Sequence, residues 1–155
     1  MSSTIKILMV CHGNICRSPM AEYVMKHLVR EAGLSERFEI ASAATSYEEI
    51  GNPVYPPARQ ELARHGISCS GHSARHLEKS DYDVYDYLIG MDYANLRNMR
   101  RICGGDPDGK MALLRAFAGS DGEIEDPWYT DRFDVVYRQI DEGCRGLLKA
   151  CLGKG

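Results

Sequence analysis

A cysteine, five residues and an arginine lie between a strand-like run and a helix-like run, in Cys11-His12-Gly13-Asn14-Ile15-Cys16-Arg17-Ser18. The preceding run, Thr4 to Val10, is β-branched and apolar, as a buried strand should be. From Ser18 the period changes: Met20, Val24 and Leu28, with Ala21 and Met25, recur at helical spacing until Gly33. Pro19 suits a first helical turn, with Ser18 at or near its cap. A strand that turns directly into a helix aims amides and the helix dipole at one small volume. Gly13 and Asn14 tolerate the positive φ that a loop of inward amides needs, though each also suits a simple turn. Such a loop can close around one phosphate. Arg17 then offers a planar fork to two oxygens, and Cys11 lies beneath the phosphorus. The helix start, Arg17 and the Ser18 hydroxyl all favour the nucleophilic thiolate. No Gly-Lys-Ser/Thr follows, which disfavours an ATP-binding P-loop.

The rest of the chain repeats the alternation. Phe38 to Ala44, Val84 to Met91 and Met111 to Phe117 read as three further strands. Ala58 to His65 reads as a helix stopped by Gly66, after a loop marked by Gly51-Asn52-Pro53 and Pro56-Pro57. Asp92 is a plausible N-cap for a helix over Ala94 to Ile102. A last helix starts near Asp131, with Val136, Ile140, Cys144, Leu147 and Cys151 on one face. Strands alternating with helices predict an α/β fold with a parallel sheet covered on both faces. Sites in such folds gather at the carboxyl ends of the strands. Cys11, Ser42, Asp92 and Asp126 all fall there.

A chain of 155 residues predicts one domain, 1–155, with a core that needs no staples. Nineteen basic against 22 acidic residues give a net charge of −3, so neither nucleic acid nor membrane is the expected partner. No segment reaches the length of a membrane span, and Met1 to Val10 lacks the features of a signal peptide. A cytoplasmic location and a monomer are expected. The six cysteines then read as thiols, and no paired spacing suggests zinc.

Val10-Cys11-His12-Gly13-Asn14-Ile15-Cys16-Arg17-Ser18-Pro19 resembles the signature of the low-molecular-weight protein tyrosine phosphatases. Asp126-Pro127-Trp128-Tyr129 resembles that family's acid loop. Ser42, Gly71 to Arg75 and Met91-Asp92 also fall where the family has similar residues, so the likeness spans nearly the whole chain. It implies a three-layer α/β/α fold on a four-stranded parallel sheet, with the phosphatase loop after the first strand. It implies hydrolysis of phosphotyrosine in proteins through a phosphocysteine, without metal or other cofactor, and a loop that also takes inorganic phosphate or other oxyanions. It implies Cys11 as nucleophile, Arg17 as phosphate clamp, Asp126 as general acid then base, and Ser18 stabilising the leaving thiolate. On its residues alone, Asp126 reads rather as a solvated turn aspartate. Asn14, Ser42 and His72 resemble a hydrogen-bonded trio that fixes the loop. Taken bare, His72 is an exposed loop histidine, Ser42 a strand-end polar residue and Asp92 a helix cap.

A phosphotyrosine needs a slot above the loop. His12, Gly13, Asn14, Ile15 and Cys16 would form its floor, and Tyr47, Glu48, Trp128 and Tyr129 its walls. Relatives that act on phosphoarginine carry threonine where Ile15 stands, so isoleucine favours phosphotyrosine. The Tyr47-Glu48-Glu49 segment departs from relatives with tryptophan there, and its carboxylates could favour basic substrates. Cys16 is a candidate partner for a reversible disulfide with Cys11 under oxidant. A protein-arginine phosphatase shares the loop. An arsenate reductase-like enzyme would need resolving cysteines; Cys69 is available but lacks a nearby cysteine partner, since Cys103 is distant in sequence. A phosphocysteine carrier would be ill served by a water-activating Asp126.

Overall fold

The computed structural model describes residues 4–153. The two ends of the expected 1–155 domain lie outside the described residues. The apolar run near the N-terminus forms β1 (Ile5–Cys11). Both its faces are buried: Ile7 and Met9 join one core cluster, Leu8 and Val10 another. A strand covered on both faces belongs in the middle of a parallel sheet. β2 (Phe38–Ala44) and β3 (Tyr87–Gly90) flank it in parallel, and β4 (Met111–Leu113) pairs with β3, giving the order β2-β1-β3-β4. Cys11 stands opposite Ala44, Val10 opposite Gly90 and Gly90 opposite Leu113. The carboxyl ends of all four strands are therefore level, and the loops after them share one edge.

Among the described residues six α-helices complete the fold: α1 (Arg17–Glu31), α2 (Pro56–Arg64), α3 (Asp81–Val84), α4 (Tyr93–Cys103), α5 (Pro127–Thr130) and α6 (Phe133–Gly153). Met20, Val24 and Met25 of α1, Leu62 of α2 and the α6 stripe Val136, Ile140, Cys144, Leu147 pack with Ile7 and Met9. Leu96, Met99 and Cys103 of α4 pack with Leu8 and Val10 on the other face. The result is a three-layer α/β/α fold on a four-stranded parallel sheet. No helix among the described residues is long and apolar enough to cross a membrane.

The expected strands and helices are present, but several edges moved. Asp92 does cap α4, through a capping box in which Asn95 N donates to Asp92 Oδ1 at 2.7 Å and the Asn95 side chain answers. The third strand begins at Tyr87, not Val84. Asp81–Val84 is a helical turn, held because Asp81 accepts from Glu78 N and Arg75. The fourth strand ends at Leu113, and Leu114–Ala118 is a 3-10 turn instead. α6 crosses that turn closely enough that a Cβ on Gly146 would lie 1.9 Å from the Phe117 carbonyl oxygen. α2 begins at Pro56, because prolines are tolerated in a first turn where their missing N–H costs nothing. α1 begins at Arg17 with Cys16 at its N-cap, so Ser18 is a helix residue with its hydroxyl turned inward rather than a cap.

Candidate active site

The loop from Cys11 to Arg17 is held by its carbonyls. Thr45 N donates to Cys11 O, Ser46 N to His12 O, Tyr55 N to Ile15 O and Met20 N to Cys16 O. His72 Nε2 lies 2.8 Å from Asn14 O, and since a carbonyl only accepts, this nitrogen carries the proton. The C=O and the following N–H of a trans peptide point in opposite directions. Carbonyls bonded outward therefore turn the loop amides inward, the geometry of an anion nest. The 15-residue α1 begins beneath it and adds its dipole.

Asn14 fixes the turn. Its φ is +60°, a left-handed conformation that asparagine tolerates and most residues resist. Its Nδ2 donates to Ser18 Oγ at 2.7 Å and its Oδ1 accepts from Arg75 N at 3.2 Å. Gly13, expected to share the positive φ, is not among the positive-φ glycines. A Cβ there would stand 3.4 Å from Glu49 Cγ, an ordinary contact. Thus Asn14 alone makes the left-handed turn within this loop.

Three groups converge on the Cys11 sulfur: Ser18 Oγ at 3.0 Å, Asn14 N at 3.3 Å and Ser18 N at 3.4 Å. Because Ser18 Oγ already accepts from Asn14, its own hydrogen is available to the sulfur. All three can stabilise negative charge on sulfur, and Cys11 is buried at the floor.

Arg17 is buried to 3% exposure and spans several acceptors. Its Nη1 donates to Asp92 Oδ2 and to Ile124 O, both at 2.9 Å, and its Nη2 stands 3.6 Å from Asp126 Oδ2. Burial opposes the guanidinium charge, but Cys11, Asp92 and Asp126 outweigh it and hold Arg17 protonated. Asp92 therefore does two jobs, one oxygen capping α4 and the other aiming Arg17. Asp126 is the N-cap of α5, its Oδ1 accepting from Trp128 N at 3.0 Å. Its second oxygen faces the cleft.

The supporting trio is assembled differently from the expectation. His72 reaches the Asn14 carbonyl, but Ser42 Oγ donates to Glu22 Oε1 at 2.5 Å and not to Asn14. Glu22 is buried in α1, takes Lys26 Nζ on its other oxygen, and stands 3.9 Å from His72 Nδ1. It links Ser42 to His72 and was missed in the sequence. A signal existed: an acid four residues after Ser18, beside Ala21 and Met25 on the buried side of the helix.

A cleft of about 210 Å³ opens above the loop. Cys11, His12, Gly13, Ile15, Cys16 and Arg17 form its floor, and Glu48, Glu49, Asp126, Trp128 and Tyr129 its walls. Tyr47 is not among its walls, contrary to expectation. It stacks on His76 with ring centroids 3.8 Å apart, which holds it to the side. Trp128 leans on Tyr55, with centroids 5.0 Å apart. His12 Nε2 bonds Glu48 Oε2 at 2.7 Å across the mouth. Burial, then the charge of Cys11, pushes the Cys16 thiol up, so it stays protonated on the same cleft floor as Cys11. Cys69 and Cys103 lie in the clusters on opposite faces of the sheet. Among the described residues no group of three or more His, Cys, Asp or Glu side chains is placed to hold a metal ion.

A family model described as low molecular weight phosphotyrosine protein phosphatase matches residues 6–154. The human protein of that name is 40% identical over 153 residues, covering 95% of this chain and 96% of its own. The crystal structure of YfkJ from Bacillus subtilis is similar with a TM-score of 0.95 and 36% identity, over 98% of this chain and 97% of that one. The crystal structure of a Drosophila arginine phosphatase is similar with a TM-score of 0.86 and 32% identity, over 94% and 97%.

Proposed function

The chain belongs to the low-molecular-weight phosphotyrosine protein phosphatase family, and from that premise we propose that it hydrolyses phosphotyrosine in proteins through a phosphocysteine on Cys11. The observation that carries this reading is the convergence of Cys11, Arg17 and Asp126 on one cleft, with donors gathered on the sulfur. Phosphate enters the loop and takes amides and Arg17 as partners. Cys11 Sγ attacks phosphorus, and the bond to the phenolic oxygen breaks as Asp126 gives that oxygen its proton. Asp126 then takes a proton from the water that attacks the phosphocysteine. Cys11 leaves as thiolate, received by Ser18 and the amide of Asn14. Asn14, Ser42, His72, Asp92 and Glu22 hold the parts in place. His12, Gly13, Ile15, Cys16, Glu48, Trp128 and Tyr129 bind the substrate.

Ile15 at the cleft floor and the aromatic wall of Trp128 favour an aryl phosphate over phosphoarginine. Cys69 and Cys103 on opposite sides of the sheet argue against a disulfide relay for arsenate. The described chain builds its two cores on one sheet, which supports one catalytic domain. A monomer in the cytoplasm, with reduced thiols, completes the reading. Hydrolysis of phosphotyrosine, phosphoserine and phosphoarginine side by side tests it. Phosphotyrosine should be the strongly preferred substrate, and turnover of phosphoarginine alone would contradict the assignment.

Replacing Asp126 with Asn is expected to slow phosphotyrosine hydrolysis by about 100-fold. An ester whose leaving group needs no proton should lose much less. Equal losses on both would show that Asp126 is not the leaving-group acid. Under peroxide, Cys11 becomes a sulfenic acid with release of water, and Cys16 then displaces a second water to form a disulfide. Mass spectrometry after mild peroxide should find Cys11 joined to Cys16, with activity restored by thiol. Cys11 found only as sulfinic acid would contradict this.

A further inference from the structure

The mouth of the cleft carries a charge pattern that phosphate chemistry does not use. Arg17 is committed to the phosphate and to Asp92 at the floor. Around the mouth stand Glu48, Glu49 and Asp126, with His12 as the one nitrogen base. The Glu48 side chain is 69% exposed, and its carboxylate meets His12 Nε2 at 2.7 Å at the protein surface. Glu49 is partly answered by Asn52 Nδ2 at 2.6 Å. A negative rim over a positive floor takes a dianion into the loop while repelling acidic groups beside it.

A second observation concerns apolar surface. Of the seven exposed large hydrophobic side chains among the described residues, Tyr47, Ile50, Trp128 and Tyr129 fall on the two segments that border the cleft. Tyr129 is 85% exposed. Aromatic faces beside carboxylates suit a side chain with an apolar stem and a cationic head, which is lysine or arginine. An acidic side chain would meet like charge, and a short apolar one would offer Glu48 no cation to compete with His12.

We propose that Glu48, flanked by Trp128 and Tyr129 across the cleft, forms a subsite that selects phosphotyrosine with lysine or arginine beside it. This deepens, and rests on, the phosphotyrosine phosphatase reading. Glu48 acts on specificity. The cation of the substrate competes with His12 for its carboxylate, and the stem lies along the aromatic lip.

The test uses matched phosphotyrosine peptides with lysine, alanine or glutamate on both sides, and kcat/KM for each. The same peptides are titrated onto the Cys11→Ser protein, so that affinity is read without turnover. Lysine peptides should exceed glutamate peptides by about two- to fivefold per flanking charge, less so at high salt. Glu48→Gln should reduce that ratio toward one, and Glu48→Lys should invert it. A ratio near one in the unmodified protein, or one untouched by both substitutions, would overturn the subsite. A small aryl phosphate separates the two claims: if it and every peptide fail to turn over, the phosphatase reading fails. The affinity ratios then decide the subsite by themselves.

Discussion

Replacing Cys11 with serine is expected to lower phosphotyrosine turnover by about four orders of magnitude or more. The two side chains differ by one atom, and serine fits beneath the same donors, Asn14 N, Ser18 N and Ser18 Oγ. Those donors cannot make a nucleophile of a hydroxyl at neutral pH, whereas a thiol yields its anion readily. The loop itself should survive, because its outward carbonyls and the Asn14 contacts do not involve the sulfur of residue 11, apart from the Asn14 amide. The variant should therefore still bind phosphate and phosphotyrosine. Calorimetric titration and steady-state turnover, measured together, check both halves. Loss of binding along with turnover would mean that Cys11 matters for the shape of the loop rather than for its chemistry.

Arg17→Lys should cost about 1,000-fold in turnover, with the charge retained. The guanidinium reaches Asp92, Ile124 O and Asp126 from one rigid plane. An ammonium is a single point and cannot hold Asp92 at the back while presenting a fork to phosphate. The buried Ile124 carbonyl would also lose its partner, so the variant should be less stable by about 2 kcal/mol. Thermal unfolding reads the second effect and kcat the first. A lysine variant with near-normal kcat would remove Arg17 from the transition state and leave it a structural cation.

The chemistry was more legible in the sequence than its supports. Cys11 and Arg17 announced themselves by type and spacing, because nucleophile and clamp each admit few residue types, whereas Asp126 read as a solvated turn aspartate and took the acid's role only through the family resemblance. The alternation of strands and helices likewise followed from the period of burial. Glu22 did not stand out, since one buried acid in a helical run looks like a surface residue until Ser42 and Lys26 are seen beside it. Ser42 was expected beside Asn14 through the family resemblance alone, and only the structure shows the Glu22 carboxylate that takes its hydrogen. Tyr47 read as a wall of the cleft until its stacking on His76 appeared, a contact between residues 29 apart in sequence. The strand edges at Val84 and Leu113 failed for a related reason. Local β-propensity was overridden by the bonds of Asp81 to Glu78 N and Arg75 on one side and by the close passage of Gly146 on the other.

The central claim is a covalent phosphoryl group on one sulfur. Rapid acid-free quenching during turnover of a phosphotyrosine peptide, followed by mass spectrometry of the digested protein, tests it directly. The expected result is one phosphoryl group on the peptide that contains Cys11, accumulating further when Asp126 is replaced by alanine in turnover of an ester that needs no proton. A phosphoryl group on His12 or His72, or undiminished turnover by the Cys11→Ser protein, would contradict it.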